Sequence, residues 1–276
     1  MPDSTWRAGA GTSVARDQRT MNLAYESETP PADLVREHLA DQLAPLTRMR
    51  DDLARVLRPG IDLAVARERL AAGQTAYDPM EAVGSAGNLL VPFVQATVAI
   101  ERAGLATLKE ATQARDRREQ VLPLVASWLA AEPTPRDRVR AAARRAAAVV
   151  ANAVLRATSA AVLAGQPRPQ GTRVACPCCG CAPDFTRHED GRRIFTCARC
   201  DAAWESAYAG CLGCGATLPP ALAFVESPLL GYRLVLCNPC GRYLKEPLGP
   251  TGSDVTIERA LTAQLDAAAE TRGLRL

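Results

Sequence analysis

Aromatic side chains make up only 4% of this 276-residue chain, and histidine occurs twice, at His38 and His188. With few rings to stack, the core has to be filled by Ala, Leu and Val, which suits closely packed helices better than a β-sandwich. With so little histidine there is no Ser/His/Asp set for acyl transfer, and no phosphate-cradling glycine loop occurs either. Cysteine is absent before Cys176. Residues 1–20 are rich in Ser, Gly, Arg and Asp and contain no apolar run, so an export signal is not expected and the cytoplasm is the expected location. The longest apolar run, Leu89 to Ile100, contains Pro92 and Gln95 and is too short to span a bilayer, so no membrane insertion is expected. A net charge of +3 is too small to name a polyanionic partner.

What remains is a chain long enough for two parts. Residues 1–30 read as a flexible tail ended by Pro30-Pro31. Over 31–165 the pattern is helical. Val35, Leu39, Leu43, Leu46, Met49, Leu53 and Val56 step by three or four, with Pro45 expected to kink or split the run. Further helices are expected to Leu70, between Glu81 and Arg117 with a break near Pro92 or Gly104, and over Glu119 to Ala131. Thr134 as N-cap and Pro135 as first helical residue are expected to open a long helix that stops at Gly165. Residues 166–173 read as a Pro- and Gly-bearing linker. Beyond it the period changes: Phe185 to Cys197 reads as a hairpin about Asp190-Gly191, and Tyr232, Leu234 and Leu236 alternate as in a half-buried strand. Ser253 is expected to cap one last helix over 253–273.

All ten cysteines fall between Cys176 and Cys240. Where thiols stay reduced, such clusters read as metal ligands before disulfides. Four Cys-x-x-Cys pairs occur in order: Cys176/Cys179, Cys197/Cys200, Cys211/Cys214 and Cys237/Cys240. A tight turn lets both sulfurs of a pair approach one ion, and two such turns close a tetrahedral site. Gaps of seventeen residues (Cys179 to Cys197) and twenty-two (Cys214 to Cys237) each fit a small hairpin. The expectation is two four-cysteine modules, 174–205 and 206–248, paired in sequence order, with an interleaved pairing still open. Four thiolates leave no open position for substrate, which makes the metals structural, and so short a segment cannot bury much core without them. Cys178 and Cys181 form a fifth, shifted pair. Gly follows Cys179, Cys214 and Cys240 while Ala182 follows Cys181, which favours Cys176/Cys179 as ligands. The two spare thiols are either small buried residues or redox-active or alternative ligands. The donor set suits zinc and iron alike.

Residues 176–183 (Cys-Pro-Cys-Cys-Gly-Cys-Ala-Pro), 197–204 (Cys-Ala-Arg-Cys-Asp-Ala-Ala-Trp), 211–215 (Cys-Leu-Gly-Cys-Gly) and 237–245 (Cys-Asn-Pro-Cys-Gly-Arg-Tyr-Leu-Lys) together resemble the formate dehydrogenase accessory protein (FdhE-type) family. Upstream, Arg69-Leu70-Ala71-Ala72-Gly73 is similar as well. The resemblance implies a cytoplasmic, non-enzymatic maturation factor that binds the catalytic subunit of a respiratory, molybdenum- or tungsten-containing formate dehydrogenase. It also implies rubredoxin-type iron on the eight paired cysteines and a redox-sensitive interaction.

The fold class expected is therefore a mainly α N-terminal helical bundle, two small β-rich rubredoxin-like or zinc-ribbon modules, and a C-terminal helix. Two other functions compete. A nucleic-acid-binding zinc ribbon would use the arginines crowded at Arg136, Arg138, Arg140, Arg144 and Arg145. Yet residues 173–246 hold eight Lys or Arg against seven Asp or Glu, which disfavours nucleic acid. A thiol or iron redox protein would need an exposed low-pKa thiol beside a resolving partner, and only Cys176–Cys181 offers one.

Overall fold

A computed structural model describes residues 31–57, 60–217, 221–252 and 254–276. The expected tail over 1–30 and the expected cap Ser253 lie outside the described residues.

Among the described residues, the helical part consists of α1 (Ala32–Val56), α2 (Leu63–Ala71), α3 (Pro79–Gly84), α4 (Leu90–Arg102), α5 (Leu108–Arg115), α6 (Val121–Leu129) and α7 (Arg138–Leu163). α7 lies at the centre and is touched by α1, α4, α5 and α6. Its buried residues include Ala141, Ala142, Ala143, Ala146, Ala147 and Ala151, small side chains that let the neighbouring helices approach closely. Phe93, Ile100, Val125, Val150 and Leu155 fill the space between the helices. α7 is the one described helix long and apolar enough to cross a membrane, but most of its apolar window is buried inside the protein. It is a core helix by position.

Several boundaries differ from the sequence expectation. α1 runs unbroken through Pro45. The hydrogen bond that Pro45 cannot make would go to the carbonyl of Asp41, an exposed residue whose carbonyl water can serve. Pro92 and Pro123 each sit in the first turn of a helix, where backbone N–H groups have no intrahelical partner anyway. α7 begins at Arg138 and not at Pro135, because the Asp137 carboxylate accepts from the N–H groups of Val139 (2.9 Å) and Arg140 (3.2 Å). An Asp two residues before a free N–H pair outcompetes Thr134. The single C-terminal helix is two: α8 (Val255–Leu261), capped by Asp254, and α9 (Ala263–Glu270).

The strands are β1 (Pro183–Glu189), β2 (Arg192–Cys197), β3 (Ala203–Glu205), β4 (Leu222–Ser227), β5 (Tyr232–Cys237) and β6 (Tyr243–Pro247). Asp190 and Gly191, both at positive φ (49° and 75°), make the expected turn between β1 and β2. Each half is a three-stranded antiparallel ribbon, and the halves join edge to edge into one sheet ordered β3-β2-β1-β6-β5-β4. The seam is parallel, with Phe185 opposite Lys245. Segment 166–173 is built into the structure: Glu205 N donates to Pro169 O (2.9 Å) and Ala207 N to Gly171 O (2.9 Å), along the β3 edge.

Both sheet faces are covered. Phe195, Trp204, Val235 and Leu244 join the main core with the helices, while Phe185 and Tyr232 pack with Leu261, and Leu234 and Tyr243 with Ala269. Two residues of the Cys240-Gly-x-Tyr-Leu-Lys stretch explain themselves here. Tyr243 Oη donates to Asp266 Oδ1 (2.8 Å), and the buried Lys245 Nζ donates to Asp266 Oδ2 (2.9 Å) beneath the Phe185 ring. They fasten α9 to the sheet. Asp266→Ala strands a buried ammonium and is expected to cost about 3 kcal/mol, read from the urea unfolding midpoint.

Candidate metal centre

The chain turns at each Cys-x-x-Cys in the same way. The N–H of the leading cysteine donates to the carbonyl five residues on: Cys176 to Cys181 (2.9 Å), Cys197 to Ala202 (3.0 Å), Cys211 to Ala216 (2.8 Å) and Cys237 to Arg242 (2.8 Å). The residue after the trailing cysteine must be left-handed to close this turn. It is Gly180 (φ 73°), Gly215 (φ 78°) and Gly241 (φ 68°), but Asp201 (φ 57°) in the second turn.

These turns bring the eight paired cysteines into two groups of four, Cys176/Cys179/Cys197/Cys200 and Cys211/Cys214/Cys237/Cys240, each with all sulfurs within 4.8 Å of one another. The pairing follows sequence order. Across the pairs, Cys176–Cys200, Cys179–Cys197 and Cys179–Cys200 sulfurs are 3.5–3.6 Å apart in the first group, and Cys211–Cys240 and Cys214–Cys237 sulfurs 3.4–3.5 Å apart in the second. A tetrahedron with metal–sulfur bonds of ~2.3 Å has edges of ~3.8 Å, so each group can hold one metal ion with little adjustment. The sulfurs are too far apart for disulfides, and all ten cysteines are free. Backbone N–H groups point at the leading sulfurs: Arg199 N to Cys197 Sγ (3.4 Å) and Gly213 N to Cys211 Sγ (3.2 Å). They offset thiolate charge.

Crowding splits the thiols within each group. Burial opposes ionisation of Cys176, but contacts from Cys178, Cys179 and Cys200 outweigh it and bring its pKa down to about 6. Burial likewise opposes ionisation of Cys211, which backbone N–H groups of Cys214 and Gly213 bring to about 7. Burial and neighbouring sulfurs push Cys237 up to about 12. A divalent cation relieves this conflict by letting all four ionise together. The first group is wholly buried; in the second, Cys214 is exposed and Cys240 half-buried.

Neither Cys178 nor Cys181 belongs to a group. Cys178 is fully buried and its carbonyl accepts from Tyr77 N (3.0 Å). Cys181 is half-buried, its Sγ 3.8 Å from the Cys179 carbonyl. His38 is exposed on α1, and His188 is exposed on β1. Of the crowded arginines, Arg138 pairs with Glu110, Arg144 donates to Pro133 O, and Arg145 to Leu105 O.

The residues that seat the first group on the helices went unnoticed in the sequence. Arg259 of α8 donates to Asp184 (2.6 Å), to Asp201 (2.7 Å) and to the Cys197 carbonyl (2.9 Å). Arg156 of α7 reaches the other Asp201 oxygen (2.9 Å), and Asn152 donates to Arg199 O (2.7 Å). The Arg199 guanidinium lies 4.5 Å from the Trp128 ring centroid. Tyr77 closes the other side, its hydroxyl 2.7 Å from Ser159 Oγ. The one local signal was Asp201 standing where the other three turns have glycine.

Fold and site together define a helical bundle bearing a tandem pair of four-cysteine ribbons fused into one sheet. No family model matches the chain, and no curated protein matches it. Among solved structures, the crystal structure of the FdhE protein from Pseudomonas aeruginosa is similar, with a TM-score of 0.57 and 18% identity, covering 90% of this chain and 95% of that one. The two proteins share a fold.

Asp201 separates two effects. Asp201→Gly loses both ion pairs but relieves the left-handed strain; Asp201→Ala loses them and keeps the strain. Thermal unfolding is expected to rank them wild type, then Gly, then Ala, the last lower by about 3 kcal/mol.

Proposed function

We propose that the chain is a non-enzymatic accessory factor of the FdhE type, which binds the catalytic subunit of a formate dehydrogenase in the cytoplasm during that enzyme's maturation. The observation that carries this reading is the fold shared over nine-tenths of both chains with the FdhE protein. The residues flanking the four turns support it, since Asp201, Tyr243 and Lys245 serve the docking of helices and not a generic ribbon. Closed four-thiolate groups favour a binding surface over catalysis, because they leave no coordination position free for substrate.

In this reading Cys176, Cys179, Cys197 and Cys200 hold one ion, and Cys211, Cys214, Cys237 and Cys240 a second. Iron is favoured by the family resemblance, with zinc the alternative. Bound metal cross-links each ribbon and, as iron, supplies a one-electron couple. Binding belongs to the whole surface of bundle and ribbons, whose relative placement Arg259 and Tyr77 fix.

Metal analysis tests the ligands. Cys197→Ser and Cys237→Ser are each expected to lose one metal equivalent, while Cys178→Ala keeps both. A chelator is expected to remove metal in two phases, the fast one absent from Cys237→Ser because that group is the exposed one. Unchanged metal content in both serine variants would sink the assignment.

Affinity purification tests the function. Tagged chain isolated without oxygen is expected to carry two metal equivalents and to retain a formate dehydrogenase catalytic subunit, with a red, dithionite-bleachable spectrum if the metal is iron. Recovery of metal-loaded chain with no such subunit overturns the accessory-factor reading.

A further inference from the structure

A cleft of about 670 Å³ runs between the end of α2 and segment 166–173, and touches Pro177 inside the first Cys-x-x-Cys turn. It is far larger than an inorganic anion needs and within the range of ligand sites. Three guanidinium groups line it, from Arg67, Arg168 and Arg173, against the single carboxylate of Glu68. Two of the three are occupied. Arg67 donates to the carbonyls of Ala161 (2.7 Å) and Val162 (3.3 Å) at the end of α7, and Arg168 to Glu189 (2.8 Å).

Arg173 is different. Its Nη2 is buried and, among the described residues, is the one buried side-chain nitrogen or oxygen without a hydrogen-bond partner. No carboxylate of the described residues lies within ion-pair distance of it. A buried donor left unpaired is costly, and a guanidinium more so than a neutral group. The arginine is held in place all the same: its own carbonyl accepts from Trp204 Nε1 (3.3 Å). Its Nη2 lies 3.7 Å from where a Cβ would stand at Gly73, the last residue of the Arg69–Gly73 stretch that the ribbons left unexplained. Apolar surface flanks the charge, from Leu70, Pro167, Pro169 and Pro177.

We infer that this cleft is a recognition site for an extended, acidic segment of a partner polypeptide, one of whose Asp or Glu carboxylates accepts from Arg173. The charge sets the ligand's sign. A carboxylate offers the two in-plane oxygens that a guanidinium fork fits, and the prolines and Leu70 offer apolar surface to an extended backbone. The site rests on the accessory-factor reading for its biological partner, but its chemistry does not depend on which client that is. Occupancy would be felt at Pro177, between two ligands of the first group.

The test uses the full chain loaded with zinc, with fluorescein-labelled hexaglutamate and hexaglutamine as probes read by anisotropy. Hexaglutamate is expected to bind about tenfold tighter than hexaglutamine. Arg173→Gln is expected to weaken it by about tenfold, and Arg168→Gln, at an exposed position whose guanidinium Glu189 already holds, by less, with metal content and melting unchanged. Arg140→Gln, about 33 Å along α7 from Val162, is expected to change it by less than about twofold. Equal losses at Arg140 and Arg173 would mean diffuse attraction to a basic surface and overturn the site. So would displacement of hexaglutamate by an equal concentration of inorganic phosphate, which would make it a small-anion site. Capture of a formate dehydrogenase subunit undiminished in Arg173→Gln overturns the cleft's role and leaves the accessory-factor reading standing. Hexaglutamate binding in a chain that captures no such subunit keeps the cleft and removes that reading.

Discussion

The Arg259 guanidinium, shared between Asp184 and Asp201 while bonding the Cys197 carbonyl, is the contact on which the rest of the arrangement depends. Asp184 lies on β1 and Asp201 in the turn after β2, so one side chain fixes the C-terminal helices against the first ribbon. Through Asp201 the same cation meets Arg156, and Arg156 belongs to the central helix. The series continues outward: Asp254, the cap of α8, pairs with the buried Arg50 of α1 (2.8 Å). Buried ion pairs contribute little net stability after desolvation, but removing one member leaves the others uncompensated. What such a network supplies is register. Helices, ribbon and C-terminal pair fit together in one way.

The left-handed Asp201 shows why that network sits where it does. Glycine adopts such a conformation freely, and the other three turns use it. An aspartate there costs backbone energy but gains a carboxylate that meets Arg156 of α7 and Arg259 of α8. The first four-sulfur group is thereby enclosed by the helices, while the second lies toward solvent. Two groups built by the same turn thus differ in exposure, and the difference comes from what packs around them.

The four turns were legible in the sequence because their information is local: cysteine spacing, the following glycine, and Asp190-Gly191 between two strands. Helix existence was legible for the same reason, from apolar residues at steps of three and four. Starts and stops were less so, since Asp137 and Thr134 are both competent caps three residues apart, and the sequence does not show that Asp137 takes the N–H groups of Val139 and Arg140. Pro45 misled because its effect depends on whether the carbonyl it orphans is wet. Contacts between distant residues left no trace at all. Arg259 and Asp184 stand seventy-five positions apart, Tyr77 and Ser159 eighty-two, and no spacing rule connects them. The fusion of the two ribbons at Phe185 and Lys245 was invisible for that reason too.

That fusion places β3 and β4, the end of one ribbon and the start of the next, on opposite edges of the sheet. The chain between them has to cross all six strands, about 24 Å at the usual strand spacing. Along this crossing stand Cys211 and Cys214, and their partners are Cys237 at the end of β5 and Cys240 in the turn that follows it. The second four-sulfur group therefore works as the buckle of a belt. When it is closed, residues 211–214 are tied to the end of β5; when it is opened, that tie is lost, and the two ribbons stay joined by the parallel seam and by their shared packing against the helices.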